Sequence, residues 1–264
     1  MLVLLKPDYH ELSREAARIV ANAVRNNPLL TLGLATGSTT VGMYQELVRL
    51  HKVEALDFSK VTTFNLDEYL GLSADHRQSL HYFMRENFFS QVNADPKKIH
   101  IPNGKIAGDY EKYCSSYEKA IQRAGGIDLQ ILGIGRNGHI GFNEPASSFG
   151  SRTRLKVLTR ETIEDNRKFF APGEQVPQCA ITMGIGTILE ARKIVILATG
   201  AAKAETVTQA IEGPITASVT ASALQLHRDV TFVLDEAAAS KLEHVEYYRR
   251  VMEMTALLTP ERMS

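Results

Sequence analysis

The sequence lacks the features that would place it in several large protein classes. Its 264 residues carry 30 basic and 30 acidic side chains, so no net charge draws the chain to nucleic acid or to an anionic membrane. No run approaches the roughly 18 apolar residues of a membrane span. The apolar run after Met1 ends at Lys6, too early for a secretory signal peptide. We therefore expect a cytoplasmic protein that binds neither nucleic acid nor a membrane.

Cysteine is scarce and linker sequence is absent. Cys114 and Cys179 stand far apart without a CxxC pattern, so we expect two reduced thiols rather than a disulfide. No internal repeat, low-complexity tract or proline- and serine-rich linker divides the sequence. These observations predict a single domain over residues 1–264.

What the chain does contain is an alternation of short apolar runs with longer amphipathic segments. Residues 10–26 place apolar side chains on one face at the helical period, and Asp8 with Glu11 forms the pattern of a capping box. The short β-branched runs have the character of buried strands. These runs are residues 2–5, 29–35, 61–65, 129–133, 194–198 and 230–234. The alternation predicts an α/β fold with a largely parallel sheet and helices on both faces.

Two loops after predicted strands have the chemistry of a phosphate site. Gly37, Ser38 and Thr39 lead into a helix, where unpaired N–H groups and the helix dipole favour an anion. The sequence here is neither a Walker A loop nor a GxGxxG loop, so a nucleotide is not implied. Lys203 follows a later strand and stands at the start of the next helix. A positive charge there is unfavourable against the helix dipole unless a bound anion compensates for it. Simple helix capping by the first loop, and solvation of Lys203, are the alternatives.

Acid–base candidates follow two other predicted strands. Asp67 and Glu68 come directly after one strand, and either could be a general base if burial raises its pKa, or could cap the next element. His139 lies in the glycine-rich segment GIGRNGHIGFNEP, between Asn137 and Glu144. Zinc binding is the competing use of His139, but no HxH, HExxH or Cys/His cluster accompanies it. We therefore expect acid–base chemistry without a metal.

These segments together resemble the glucosamine-6-phosphate deaminases of the glucosamine/galactosamine-6-phosphate isomerase family. The resemblance rests on TFNLDEYLGL, on GIGRNGHIGFNEP followed by SSFGSRTRLKVLT, and on ALQLHRDVTFVLDE, and it covers essentially the whole chain. It implies a Rossmann-like sheet, of the kind shared with ribose-5-phosphate isomerase. It also implies a cofactor-free enzyme that converts glucosamine 6-phosphate into fructose 6-phosphate and ammonia.

The resemblance further implies a role for individual residues. Asp67 corresponds to the general base at the sugar C2 and His139 to the group that opens the pyranose ring. Asn137 and Glu144 correspond to the residues that assist and orient His139. Because some relatives carry Asp in place of Asn137, more of the charge stabilisation is expected here from Glu144. The phosphate ligands that the resemblance implies are Gly37, Ser38, Thr39, Arg167 and Lys203.

Three alternative functions share part of this pattern. A galactosamine-6-phosphate isomerase would differ in the configuration of one substrate hydroxyl. A 6-phosphogluconolactonase would have a similar glycine–histidine loop without the FNEP continuation. The effector-binding domain of a transcription regulator would need a helix-turn-helix module, for which the chain has no spare length.

The sequence carries only a partial match to the regulatory site of related enzymes. Part of a site for N-acetylglucosamine 6-phosphate in regulated relatives is matched by Ser147, Arg154 and Lys156. The C-terminal region, which ends in TPERMS, looks too short in comparison with those relatives to complete the site. The chain could be a monomer or a homo-oligomer. Residues 145–177, between the glycine-rich segment and the next expected regular element, are expected to form a mobile lid.

Overall fold

The chain alternates strands and helices along its length. The computed structural model describes residues 1–258, so the TPERMS end, to which the expectation about effector binding refers, lies outside the described residues. The strands are β1 (Leu2–Lys6), β2 (Thr31–Leu34), β3 (Thr62–Asn65), β4 (Asp67–Tyr69), β5 (Ile99–His100), β6 (Leu129–Gly133), β7 (Arg154–Val157), β8 (Cys179–Thr182), β9 (Lys193–Ala198) and β10 (Val230–Asp235). The helices are α1 (Tyr9–Asn26), α2 (Ser38–Glu54), α3 (Leu80–Asn87), α4 (Tyr110–Arg123), α5 (Arg160–Arg167), α6 (Ile185–Leu189), α7 (Ala204–Ile211), α8 (Glu236–Ala239) and α9 (Val245–Leu258).

Seven of the strands form one sheet in which every pairing is parallel. Its order is β1–β10–β9–β6–β2–β3–β5. Parallel neighbours need crossover connections, and the helices between the strands supply them. The prediction of a Rossmann-like, largely parallel sheet with helices on both faces is confirmed.

The six strands predicted from apolar runs are all present. Each begins and ends within two residues of its predicted bounds, and β6 matches at both ends. Strand β5 escapes prediction because its two residues are too few to show a period. Helix α1 starts at Tyr9, and the Asp8 carboxylate accepts the Glu11 N–H at 2.9 Å, as an N-cap does.

Helices cover both faces of the sheet because strand side chains alternate between the two faces. In β9, Ile194 and Ile196 belong to one core cluster, whereas Val195 and Leu197 belong to the other. Helices α4 and α7 pack on the first face, and α1 and α2 pack on the second. Because both faces are buried, the strands read as continuous apolar runs rather than as alternating patterns.

A second, three-stranded antiparallel sheet, in the order β4–β8–β7, adjoins the end of β3. Asp67, the first residue of β4, pairs with Thr182 of β8, which also pairs with Arg154 of β7. The expectation that residues 145–177 contain no regular element is therefore wrong, since they include β7 and α5. Strand β7 reads Arg-Leu-Lys-Val and is only partly buried, so it lacks the apolar run that marks a core strand. Movement of this segment stays a prediction.

The order of the strands places three candidate loops side by side. The carboxyl ends of parallel strands lie at one edge of the sheet, where ligands of open α/β folds bind. At that edge the loop after β6 lies between the loops after β9 and β2. No helix within residues 1–258 has the length and apolarity needed to cross a membrane.

The close approach of β2 to the fully buried Gln130 on β6 yields a stability prediction. A Cβ at Gly33 would overlap the Gln130 side-chain amide, which has no solvent to move into. We expect Gly33→Ala to lower the free energy of unfolding by about 2 kcal/mol, measured by urea denaturation. Gly133→Ala is the matched control, because a Cβ at Gly133 would have no atom of residues 1–258 within 4 Å. In the double variant, Gln130→Ala should remove the overlap, so Gly33→Ala should cost less there than in the wild type. If the two changes in the free energy of unfolding simply add, the steric explanation is wrong.

Candidate active site

Asp67 is a buried carboxylate with no hydrogen-bonding partner in the part of the chain that the structure describes. It is 6% exposed and accepts no hydrogen bond from any of residues 1–258. Burial, together with the neighbouring charge of Glu68, raises the pKa of Asp67 to about 8. Its Oδ2 lies beside the backbone of Gly141, where an added Cβ would be 3.4 Å away. A carboxyl group in this state can take up and return a proton near neutral pH.

The adjacent carboxylate, Glu68, has a structural environment. It accepts the backbone N–H groups of Tyr69 at 2.8 Å and of Leu80 and His81 at 3.0 Å each. Leu80 and His81 begin α3, so Glu68 caps that helix from a neighbouring strand. Burial raises the pKa of Glu68 to about 7, against the effect of the three N–H groups. Of the two acidic residues, the capping alternative therefore applies to Glu68.

Asn137 joins His139 to Glu144 in the loop after β6. The Asn137 Nδ2 donates to Glu144 Oε2 at 3.0 Å, which turns Oδ1 toward His139 Nδ1 at 2.7 Å. Because Oδ1 can only accept, Nδ1 carries the proton in this arrangement and Nε2 is left as the basic nitrogen. Glu144 Oε2 also lies 3.4 Å from Nδ1. The imidazole is thus oriented by an amide and faces a carboxylate.

Glu144 supplies the negative charge of this group. It is 1% exposed, and burial alone would raise its pKa. Hydrogen bonds and charge from His139, with hydrogen bonds from Thr162 and Asn137, outweigh burial and lower that pKa to about 2. The Thr159 N–H also donates to Oε1 at 3.2 Å. Glu144 therefore stays ionised at any working pH and also contacts the segment that starts α5.

The backbone around His139 is held from neighbouring elements. A Cβ at Gly135 would overlap the imidazole, so this position must be glycine for the ring to lie where it does. The Thr206 hydroxyl donates to the Arg136 carbonyl at 2.7 Å, and the Ala221 N–H donates to the Gly138 carbonyl at 2.8 Å. These contacts fix the loop from α7 and from the turn that precedes β10.

Residues 35–39, which we name the phosphate loop after the ligands expected there, present unpaired N–H groups at the start of α2. The N–H groups of Gly37, Ser38 and Thr39 meet no acceptor among residues 1–258. Gly37 adopts φ 132°, a conformation that side chains rarely allow. Three adjacent unpaired N–H groups at the positive end of a 17-residue helix suit a phosphate group.

Lys203 lies after β9, in a group of charged side chains. Burial lowers its pKa; Asp165 opposes this effect, while Arg136 and Lys168 add to it. Arg136 pairs with Asp165 at 3.2 Å. The charged residues that influence the pKa of Lys203 therefore belong to α5, to the segment after it and to the loop after β6. Sequence reasoning missed Arg136 and Lys168, because single basic residues in polar segments carry no periodic or motif signal.

Arg167, the other cation expected at the phosphate, is directed elsewhere. Its Nη1 donates to the Glu174 carbonyl at 3.1 Å, and no contact with Lys203 is formed among residues 1–258. Lys168, the next residue, is one of the two cations, with Arg136, that lower the pKa of Lys203. The role of Arg167 at the phosphate stays a prediction.

The three residues matched to an effector site have identifiable contacts. Ser147 is buried and donates to the Glu144 carbonyl at 2.7 Å. Arg154 donates from Nη1 to Asn143 Oδ1 at 2.9 Å, and burial lowers its pKa. Burial likewise lowers the pKa of Lys156. Effector binding stays a prediction.

Within residues 1–258, no three His, Cys, Asp or Glu side chains lie close enough together to hold a metal ion.

The fold and the site define a class of protein: an α/β enzyme with candidate acid–base groups and a candidate anion site at the carboxyl edge of a parallel sheet. The family model described as glucosamine-6-phosphate isomerases/6-phosphogluconolactonase matches residues 8–233. The glucosamine-6-phosphate deaminase of Thermoanaerobacter sp. (strain X514) is 53% identical over 240 residues, which cover 91% of this chain and 94% of that protein. The chain belongs to this family.

Other relatives agree with this assignment. The glucosamine-6-phosphate deaminase of Shewanella loihica is 51% identical over 98% of this chain and 96% of its own length. A solved structure of a monomeric glucosamine-6-phosphate deaminase of the NagB superfamily superposes with a TM-score of 0.89 at 47% identity, covering 91% of this chain and all of that one. The 6-phosphogluconolactonase of Trypanosoma brucei, with a TM-score of 0.72 and 21% identity over 91% and 98% of the two chains, shares the fold.

The burial of Asp67 predicts a dependence of stability on pH. Its pKa in the folded protein, about 8, is above the ordinary value of 3.8, so folding favours the protonated form. Protonated Asp67 stabilises the folded protein at low pH, and this contribution is lost as pH rises through about 8. The free energy of unfolding then falls by up to about 1.4 kcal/mol per pH unit. We expect Asp67→Asn to become progressively more stable than the wild type between pH 5 and pH 8, measured by urea denaturation. Asp75→Asn, at a side chain that is 88% exposed, is the control; parallel curves for wild type and Asp67→Asn would contradict the prediction.

Proposed function

We propose that this protein converts glucosamine 6-phosphate and water into fructose 6-phosphate and ammonia. The observation that carries the proposal is that two acid–base groups lie at the same edge of the sheet. Asp67 is buried and has no hydrogen bond to any described residue, and His139 is oriented through Asn137 and Glu144. The deaminases reported above are about half identical to this chain over nearly its whole length, which favours this reaction over that of the more distant lactonases.

Substrate binding begins at the phosphate. The N–H groups of Gly37, Ser38 and Thr39 hold its oxygens, and Lys203 supplies positive charge from the loop after β9. Lys168 or Arg167 adds a second cation from the segment at the end of α5. This remote binding energy fixes the position of the sugar carbons against the loop after β6.

Ring opening uses His139. Its Nε2 takes the proton of the C1 hydroxyl and returns it to the ring oxygen as the C1–O bond to the ring breaks, giving the open aldehyde. The charge that the imidazole gains during this transfer is stabilised by the Glu144 carboxylate. Because Asn137 is neutral, Glu144 is the anionic member of this group.

Isomerisation and deamination use Asp67. Its carboxylate removes the C2 proton, which is acidic because an aldehyde and an ammonium group flank it, and reprotonation at C1 gives a ketose imine. Water then adds to C2 of the imine, and ammonia leaves. The substrate ammonium favours the ionised form of Asp67, so a carboxyl group that is protonated in the empty site becomes a base when substrate binds.

We place the reaction in the cytoplasm, in one catalytic domain that acts as a monomer or a homo-oligomer and needs no cofactor, metal, nucleic acid or membrane partner.

The reaction is tested by following both products at once. Purified, EDTA-treated protein is given glucosamine 6-phosphate, and fructose 6-phosphate and ammonia are measured together. We expect equal yields of the two products. If neither product forms, the proposed reaction is wrong, and galactosamine 6-phosphate and 6-phosphogluconolactone become the substrates to try.

The role of Asp67 is tested by proton exchange. Asp67→Asn keeps the size of the side chain and removes its basicity, so we expect the variant to bind glucosamine 6-phosphate but to lose exchange of the C2 hydrogen with deuterated solvent, followed by NMR. Turnover should fall by at least about 100-fold. Asp75→Asn should exchange at the wild-type rate; wild-type exchange in Asp67→Asn would disprove the assignment.

A further inference from the structure

A tyrosine on α1 contacts two backbone atoms near the start of α2. The Tyr9 hydroxyl donates to the Ser38 carbonyl at 3.1 Å and accepts the Gly42 N–H at 2.8 Å. Ser38 and Gly42 stand four residues apart, so these are the acceptor and donor that an α-helix would pair with each other. We propose that Tyr9 is a positioning residue that aims the phosphate loop at the substrate phosphate.

The peptide unit that joins Ser38 to Thr39 is planar. The Ser38 carbonyl and the Thr39 N–H belong to one rigid peptide plane and point in nearly opposite directions. A hydrogen bond that fixes the carbonyl from the α1 side therefore fixes the direction of the Thr39 N–H on the other side. It also polarises that N–H and strengthens it as a donor to an anion.

Two other hydroxyl groups hold neighbouring peptide planes in the same way. The Thr40 hydroxyl donates to the Gly37 carbonyl at 3.0 Å, which fixes the plane of the Ser38 N–H. The Tyr44 hydroxyl donates to the Ala35 carbonyl at 2.7 Å. Thr40 and Tyr44 belong to α2 itself, whereas Tyr9 belongs to α1. Tyr9 thus ties the phosphate loop to a helix outside the loop's own strand–helix unit.

The packing of α1 on α2 gives the tyrosine a defined position. A Cβ at Gly42 would lie 2.9 Å from the Tyr9 hydroxyl and would overlap the Ser13 hydroxyl, so only glycine permits this approach. Ser13 Oγ is buried and unpartnered among the described residues. The two helices therefore meet at backbone distance beside the loop, and this close approach brings the Tyr9 hydroxyl within hydrogen-bonding distance of Ser38 and Gly42.

This inference rests on the proposed function, since it assigns the phosphate of the substrate to the phosphate loop. Removing the hydroxyl with Tyr9→Phe keeps the ring and its packing. We expect the KM for glucosamine 6-phosphate to rise about fivefold, the effect of one net hydrogen bond, with kcat within about twofold of wild type. The dissociation constant of inorganic phosphate, measured by calorimetry, should rise by the same factor.

Tyr110 provides a closely matched control. It is the first residue of α4 behind an Asp N-cap, as Tyr9 is the first residue of α1, and the two are 37% and 36% exposed. Its hydroxyl makes no hydrogen bond to any of residues 1–258. Tyr110→Phe should therefore keep the wild-type KM and phosphate affinity.

The outcomes separate this inference from the proposed reaction. Wild-type KM and phosphate affinity in Tyr9→Phe would overturn it, and so would a joint loss of kcat and thermal stability, which indicates a general structural role. If the wild type does not turn over glucosamine 6-phosphate, the proposed reaction fails. The phosphate affinities of wild type and Tyr9→Phe then still decide the role of Tyr9.

Discussion

The parallel pairing of β6 with β9 on one side and β2 on the other is the constraint on which the site depends. Parallel strands end at the same edge, so the loops after these three strands must lie together. One loop carries His139, one carries Lys203 and one is the phosphate loop. The next strand, β3, continues through Leu66 into the second sheet, which adds Asp67 to the same edge. No local sequence motif could assemble these groups; the order of the strands does.

Within that edge, two buried carboxylates differ in what surrounds them. Glu144 is bonded by the imidazole and by amide and hydroxyl donors, and its pKa falls to about 2. Asp67 accepts no hydrogen bond from the described residues, and its pKa rises to about 8. Burial raises the pKa of both carboxyl groups, so hydrogen bonds and the sign of the neighbouring charge decide the direction of each shift. One carboxylate is a permanent charge beside the imidazole, and the other can exchange protons.

Much of the fold and part of the site follow from the sequence, for physical reasons. Strands buried on both faces need continuous apolar runs, which is why six core strands could be located by pattern alone. Strand β7 and helix α5 are polar and partly exposed, so residues 145–177 were expected to be irregular. Asp67 and His139 stand out because acid–base residues follow buried strands. Whether Asp67 or Glu68 caps α3 depends on Leu80 and His81, which are distant in sequence, and so only the three-dimensional contacts could decide it.

Asn137 shows how one uncharged side chain shapes the electrostatics of the site. Its Nδ2 lies 3.0 Å from Glu144 Oε2 and its Oδ1 lies 2.7 Å from His139 Nδ1. A carboxylate at position 137 would place a second negative charge against Glu144 and would remove the donor that Asn137 offers it. With the amide, one negative charge faces the imidazole, so the pair becomes neutral when the imidazole gains a proton and the buried loop never holds two adjacent anions. The amide thus fixes the ring and its tautomer, and the carboxylate stabilises the charge.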